Sequence, residues 1–167
     1  LKVFHAISEM LTPSMRQRIE RTFPIPIIQG YGLNEIGIVA LKCPADRYHV
    51  HGEHCLVELV GDDGQPVAPG EIGRIVVTAF RNLAMPLIRY DTDDLAQSVE
   101  GPCACGRTMP GFGEVIGRYS RIAYLPDGTL GLVGAVRDAL ETMPVEIAQN
   151  LRQFQLHQFR NNRFELR

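Results

Sequence analysis

The feature that most constrains this chain is a glycine-rich stretch, residues 29–37, which follows the apolar run 25–28. The apolar run predicts a strand, and three glycines in nine residues predict a sharp loop that a ligand can approach closely. Tyr31, Asn34 and Glu35 stand between the glycines. An aromatic ring can lie against a base, an amide can donate to a phosphate oxygen, and a carboxylate can hold Mg²⁺. The stretch therefore predicts a nucleotide site; the alternative is a turn whose Asn and Glu only cap the next element.

The residues before this stretch predict a strand–helix–strand unit. Residues 2–7 are apolar enough for a buried strand, and Thr12 followed by Pro13 marks the start of a helix that ends near residue 21. The run 25–28 supplies the second strand. Because ligands in open α/β sheets bind at the carboxyl ends of strands, this order favours a ligand at the glycine-rich stretch.

The rest of the chain predicts β-structure with little helix. After the run 38–41, apolar alternation and turn residues predict a small antiparallel sheet or barrel with strands at 54–60, 72–80, 85–90, 95–99 and 112–116. A last part begins near Gly117 and predicts a hairpin over 122–132, a helix over 133–143 and a second hairpin over 153–166. The fold class is therefore mixed, α/β followed by α+β.

Composition favours a soluble globular protein without a membrane or nucleic-acid partner, and we expect a cytoplasmic location. The chain has 167 residues, 45% of them hydrophobic and 22% charged, and its net charge is -2. No apolar run approaches the roughly 18 residues of a membrane helix. Nucleic-acid binding by the arginines of the last part is a weak alternative, because strand alternation spreads their side chains over two faces.

Two further motifs carry groups suited to a nucleotide. Asp91, Asp93 and Asp94 place three acids within four residues, and one carboxylate can accept both hydroxyls of a ribose. The alternative for this acidic motif (residues 89–94) is a solvated turn. Gly117 followed by Arg118 combines freedom to bend with fixed donors for ribose or phosphate, and the alternative is a linker with a surface arginine.

The cysteines predict a metal site. Cys103 and Cys105 are one residue apart on a tight turn, where they cannot sensibly bond each other but can share a metal. Tetrahedral Zn²⁺ needs two more ligands, which Cys43 and His49 can supply from another loop. Residues that compete for these positions are His51, His54 and Cys55. Alternation along its strand predicts that Cys55 is a core residue. A disulfide and free thiols remain alternatives.

Taken in order, these motifs resemble the adenylate-forming superfamily, the AMP-dependent synthetases and ligases. The resemblance rests on residues 31–35, 70–73, 86–95, 103–108 and 117–118, whose order and spacing match over nearly the whole chain. The most similar branch is phenylacetate–coenzyme A ligase with its capsular-polysaccharide-associated relatives. It implies that ATP and Mg²⁺ activate a carboxylic acid, expected to be aromatic, as an acyl-adenylate, and that coenzyme A takes the acyl group.

The resemblance also implies a role for each residue of the glycine-rich stretch. Tyr31 would stack on adenine, and Gly32 would leave room for the base. Asn34 stands where the family usually has Thr or Ser, and would donate to the α-phosphate. Glu35 would bind the Mg²⁺. Asn34 and Glu35 are therefore the expected catalytic residues.

Other positions match the rest of the family's site. Asp94 would hold the ribose hydroxyls, and Arg118 would contact the nucleotide at a hinge. Ser8 and Glu9 match the loop that lines the adenine and acyl pocket. The residues that match a structural zinc knuckle of this branch are Cys43, His49, Cys103 and Cys105. Two departures are Asp91, where the family usually has Arg, and the pair 120–121, where it usually has Asp.

The resemblance implies a domain plan. Residues 1–116 match the C-terminal portion of a large domain, with an α/β unit at 1–41 and a β-barrel subdomain at 42–116; residues 117–167 match the hinge and the first part of a small α+β domain. The family's phosphate loop is expected before Leu1 and its catalytic lysine after Arg167, since Lys2 and Lys42 are the only lysines. We therefore expect a fragment that is inactive alone. A homodimer and a non-catalytic, zinc-stabilised β binding module remain alternatives.

Overall fold

The computed structural model describes residues 2–8, 11, 13–119, 143–144, 156–159 and 163–166. The chain divides into two compact units, Leu1–Tyr119 and Ser120–Arg167. The described part is mostly β-sheet, with one helix. Within it, no helix is long and apolar enough to cross a membrane.

The described residues of the first unit form ten elements in chain order. They are β1 (Phe4–Ala6), α1 (Pro13–Thr22), β2 (Ile27–Leu33), β3 (Gly37–Lys42), β4 (Tyr48–Val50), β5 (Cys55–Val60), β6 (Ile72–Ala79), β7 (Tyr90–Gln97), β8 (Gly111–Phe112) and β9 (Val115–Arg118). In the second unit, β10 (Leu156–Gln158) pairs antiparallel with β11 (Phe164–Leu166). This pair confirms the hairpin predicted over 153–166, with shorter strands.

The first unit has two sheets. One has the strand order β1-β2-β3-β4-β8, and the other has the order β5-β6-β7-β9. β1 and β2 are parallel and are joined through α1, which confirms the strand–helix–strand unit. The other described pairs of this unit are antiparallel. The closed barrel stays a prediction, as does the assignment of the chain to a large and a small domain.

The hydrophobic core draws on both sheets. Val39 and Ala40 of β3 are fully buried, as are Ile75 and Val77 of β6. Phe112 of β8 is 1% exposed and stacks on Tyr48 of β4, with ring centroids 5.2 Å apart and planes 15° apart. The core therefore fixes β8, a strand of only two residues, through one large aromatic side chain.

The sequence predicts that the glycine-rich stretch is a loop after a short strand, and this prediction is wrong. β2 runs through Tyr31 and Gly32 to Leu33, and only residues 34–36 turn before β3. The reason is the close approach of the two strands: a Cβ on Gly32 would lie 2.8 Å from the backbone oxygen of Gly37. A register shift between Tyr31 and Gly32 marks a bulge at the same point.

Two other strand predictions are wrong. The strands predicted at 85–90 and 95–99 are one strand, β7, because the residues before Tyr90 remain irregular and Arg89 has a φ of +48°. The acidic motif therefore lies mainly on a strand, although Asp93 also has a positive φ of 63°. The strand predicted at 112–116 is split between β8 and β9, which belong to different sheets. The hairpin predicted over 122–132 and almost all of the helix predicted over 133–143 lie outside the described residues.

We expect Gly32→Ala to lower the free energy of unfolding by about 1–3 kcal/mol, because the new methyl group meets backbone rather than a movable side chain. Gly52→Ala is the matched control, since a Cβ there meets nothing within 4 Å. Urea unfolding of both variants measures the difference. Equal stability of the two variants would contradict the close strand approach.

Candidate functional site

The two predicted nucleotide motifs meet at the Tyr31 hydroxyl. The Tyr31 hydroxyl on β2 donates to Asp94 Oδ2 on β7 at 2.8 Å, although the residues are 63 positions apart. Tyr31 belongs to one sheet and Asp94 to the other, so the bond crosses between the sheets. The Tyr31 ring packs edge-to-face with Phe112, at a centroid distance of 5.8 Å. The tyrosine is held at both its ring and its hydroxyl, and its exposed fraction is 9%.

Thr92 holds this pair in place, and sequence reasoning missed it. Its hydroxyl donates to the Ile75 carbonyl at 2.9 Å and lies 3.2 Å from the Tyr31 hydroxyl. The same oxygen accepts the backbone N–H of Asp94 at 3.2 Å. A buried threonine two residues before an aspartate carries no signal in one sequence, because its role depends on what β6 and β2 bring to it.

Arg118 lies beside the same carboxylate. β9 pairs with β7 so that Arg118 is opposite Asp94, and Arg118 Nε is 3.8 Å from Asp94 Oδ1. The arginine side chain is 56% exposed, whereas the aspartate side chain is 16% exposed. Each oxygen of the Asp94 carboxylate therefore faces a different partner, and the solvent-facing partner is a guanidinium cation.

Burial shifts the pKa values of both members of the pair. Desolvation raises the pKa of Asp94 above its ordinary value, and the Tyr31 hydrogen bond and the Arg118 charge oppose that rise. Burial also raises the pKa of Tyr31 far above its usual value. The Tyr31 hydroxyl therefore stays protonated and remains a donor at neutral pH.

The remaining predicted nucleotide residues lie at strand ends. Asn34 and Glu35 are exposed on the turn between β2 and β3, where the Glu35 carbonyl accepts the side-chain amide of Asn82 at 3.3 Å. Ser8 is exposed just after β1 and has a φ of 75°. Glu9 lies outside the described residues.

Asp91, the departure in the acidic motif, has a structural partner. Its Oδ2 accepts Arg74 Nη1 at 2.7 Å across the β6–β7 pair. Asp91 and Asp94 therefore have different surroundings. The Asp91 side chain is 41% exposed and forms an ion pair, whereas Asp94 is hydrogen-bonded between the sheets.

The structure gathers the four predicted zinc ligands. Cys43 follows β3, His49 lies on β4, and Cys103 and Cys105 lie on the turn 103–106. Their ligand atoms all lie within 4.8 Å of one another. We call these four residues the Cys/His cluster. The competing residues lie elsewhere: His51 and His54 face the Glu53 carboxylate, at 3.5 and 3.7 Å. Cys55 is 1% exposed, which confirms it as a core residue.

The cluster has the dimensions of a tetrahedral metal site. Cys43 Sγ is 3.6 Å from Cys103 Sγ, and Cys105 Sγ is 3.3 Å from His49 Nε2. Zn–S bonds of about 2.3 Å at tetrahedral angles put sulfurs about 3.8 Å apart. His49 Nδ1 lies 3.3 Å from the Met109 carbonyl, a contact that leaves Nε2 for a metal. A hydrogen bond from the Arg107 backbone lowers the pKa of Cys105 to about 6.

Curated relatives of the chain are phenylacetate–coenzyme A ligases. One from Thermus thermophilus is 34% identical over 116 residues, which is 66% of this chain and 26% of that protein. One from Escherichia coli is 33% identical over 132 residues, 76% of this chain and 28% of that protein. One from Pseudomonas putida is 26% identical over 163 residues, 95% of this chain and 35% of that protein. The chain therefore spans about a quarter to a third of the relatives' length.

Solved structures with the same fold include acyl-coenzyme A ligases. A 2-hydroxyisobutyryl-CoA ligase, in complex with 2-HIB-AMP and CoA, matches 86% of this chain and 35% of its own with a TM-score of 0.70 and 20% identity. An anthranilate CoA ligase, in complex with anthranoyl-AMP, matches 99% of this chain and 33% of its own with a TM-score of 0.67 and 18% identity. No protein-family model matches the chain.

We expect Asp94→Asn to gain stability relative to the wild type as pH rises from about 4 to 7. The folded state holds the Asp94 proton more tightly than the unfolded state, so proton binding stabilises the folded wild type at low pH. This stabilisation is lost as pH rises through the raised pKa of Asp94. The asparagine can still accept the Tyr31 hydrogen bond. Urea unfolding across this pH range measures the difference between the two proteins.

Asp62→Asn is the matched control, because it removes an exposed carboxylate from a turn. A stability difference between Asp94→Asn and the wild type that stays constant with pH would contradict the burial of this carboxylate.

Proposed function

The chain belongs to the adenylate-forming superfamily, in the branch of the phenylacetate–coenzyme A ligases, and from this membership we propose that the protein is an AMP-forming acid–coenzyme A ligase. The carboxylate of the acid attacks the α-phosphorus of ATP, which gives an acyl-adenylate and pyrophosphate. The thiol of coenzyme A then takes the acyl group and releases AMP. The observation that carries the proposal is the 2.8 Å contact of Tyr31 with Asp94, because it joins the two motifs expected to share one nucleotide.

The nucleoside end of the site is built from Tyr31, Asp94 and Arg118. Asp94 receives one side-chain hydrogen bond from Tyr31, and a carboxylate has further acceptor positions for two ribose hydroxyls. Tyr31 is fixed by Phe112 and Asp94, so its ring offers adenine a rigid platform at little entropic cost. The expectation that Gly32 leaves room for the base is wrong, because the Gly37 backbone oxygen occupies the space beside it. Arg118 is exposed enough to leave Asp94 and contact the nucleotide.

The phosphate end lies on the exposed turn after β2. In this proposal Asn34 would donate to the α-phosphate, and the Glu35 carboxylate would hold Mg²⁺. One exposed carboxylate fits this role, because protein sites hold Mg²⁺ through one or two carboxylates while the phosphates supply other ligands. A bound Mg²⁺ would neutralise part of the negative charge on the phosphates. In this proposal Ser8, exposed just after β1, lines the adenine and acyl pocket.

The Cys/His cluster would hold a structural Zn²⁺. With four protein ligands, the ion would have no position open for substrate, so its role would be structural rather than catalytic. It would join the end of β3 and β4 to the turn 103–106. β4 pairs with β8, which carries Phe112, and Phe112 contacts Tyr31. A bound metal would therefore support the aromatic packing beneath the nucleotide platform.

The acid we propose is an aryl acid similar to phenylacetate. The proposal of an aryl acid is supported by curated relatives that are named phenylacetate–coenzyme A ligases. The domain plan that we propose follows the family. Residues 1–116 match the end of the large domain, and residues 117–167 match the hinge and the start of the small one.

The curated relatives are ligases, which favours the ligase function over a non-catalytic binding module stabilised by zinc.

We expect Asp94→Ala to raise the KM for ATP, and Glu35→Gln to lower kcat, with kcat/KM falling about 10²-fold or more in each. The protein is expressed from its complete reading frame. Pyrophosphate release with ATP, phenylacetate and coenzyme A is measured. Asp62→Ala is the control, an exposed turn residue outside the site. Wild-type kinetics in both site variants would refute these roles.

We expect the purified protein to contain about one zinc per chain, measured by elemental analysis, because three thiolates and one imidazole form a closed set. Cys43→Ser removes one ligand and should lose most of the metal. Cys55→Ser, at a cysteine outside the cluster, should keep it. A wild type without zinc, or a Cys43→Ser variant with a full equivalent, would contradict the site.

A further inference from the structure

The two buried thiols of the Cys/His cluster are in direct contact. Cys43 Sγ and Cys103 Sγ are 3.6 Å apart, at the van der Waals separation of two sulfur atoms, and both cysteines are free. The residues are 60 positions apart and belong to different turns. A disulfide has an S–S length of about 2.05 Å, so bond formation requires the sulfurs to approach by only about 1.5 Å.

The cluster is open to small molecules on one side. Cys105 is partly exposed and lines a shallow pocket together with Pro44, Ala104 and Arg107. Arg107 Nη1 lies 3.6 Å from Cys105 Sγ, so a guanidinium cation borders this pocket. Cys43 and Cys103 do not line the pocket and are 7% and 8% exposed, but their sulfurs lie within 4.8 Å of Cys105 Sγ, which a molecule as small as hydrogen peroxide can approach.

We propose that the Cys/His cluster is also a redox modification site, at which a peroxide converts the Cys43 and Cys103 thiols to a reversible disulfide. One thiolate attacks a peroxide oxygen: an S–O bond forms, the O–O bond breaks, and hydroxide leaves as water after taking a proton. The second thiolate then attacks the sulfenic sulfur, the S–S bond forms, the S–O bond breaks, and a second water leaves. Two electrons pass from the two thiols to one peroxide.

Oxidation would replace the cross-link through the metal by a covalent cross-link, the Cys43–Cys103 disulfide. The disulfide consumes two of the four zinc ligands, and Cys105 with His49 cannot complete a tetrahedron alone. The metal is therefore released, while the new covalent bond still joins the turn after β3 to the turn 103–106. This proposal goes beyond the ligase function and does not require that the protein form an acyl-adenylate.

The wild-type protein provides the direct test. The zinc-loaded protein is treated with hydrogen peroxide, and non-reduced peptides are mapped by mass spectrometry while a chromogenic chelator follows free zinc. We expect the Cys43–Cys103 disulfide, a mass loss of about 2 Da, about one zinc released per chain, and restoration of the thiols by dithiothreitol. Intact thiols after treatment, a disulfide between another pair, or only irreversible sulfinic and sulfonic products would overturn the proposal.

Three variants and a metal-free sample sharpen the test. Cys43→Ser should abolish the disulfide, whereas Cys105→Ser and Cys55→Ser should keep it; loss in Cys105→Ser would show that the reaction runs through Cys105 and would refute the pair. Circular dichroism confirms that each variant is folded. Protein stripped by a chelator should also form the disulfide. A disulfide without zinc release in protein as purified would refute the zinc site but not the modification site, so the two failures are distinguishable.

Discussion

The candidate site depends on one hydrogen bond between the two sheets, from the Tyr31 hydroxyl to the Asp94 carboxylate. Burial of a carboxylate is costly, and the raised pKa of Asp94 records that cost. The cost is offset by a neutral donor and a nearby cation, Arg118, and by Thr92, which fixes the backbone of the pair. A carboxylate held in this way is ready to accept hydroxyl donors from a ligand without first reorganising its surroundings.

The Cys/His cluster and the Tyr31–Asp94 pair are joined by aromatic packing. His49 belongs to the cluster, and its neighbour Tyr48 stacks on Phe112. Phe112 in turn contacts the Tyr31 ring. β8 has two residues and β4 has three, so backbone pairing alone gives these strands little stability. A metal or a disulfide at the Cys/His cluster would therefore stabilise the packing around Tyr31 at the other end of this chain of contacts.

The sequence predicted local features and the composition of the site, but not how distant strands meet. Thr12 and Pro13 predict the start of α1, and the spacing of Cys103 and Cys105 predicts that these two cysteines lie together with Cys43 and His49. The path of β2 through Tyr31 was missed, because the glycines there permit close strand approach rather than a loop. Thr92 and Phe112 were missed as site residues, because their roles arise from contacts with strands far away in sequence.

The central claim is that Tyr31 and Asp94 act together on one nucleotide. A double-mutant cycle on AMP affinity, with Tyr31→Phe, Asp94→Ala and the double variant in the protein from its complete reading frame, measures that claim most directly by calorimetry. Because the residues touch each other, the account predicts a coupling energy of about 0.5–3 kcal/mol. Losses in affinity that add to within about 0.3 kcal/mol, or AMP affinity unchanged in all three variants, would contradict it.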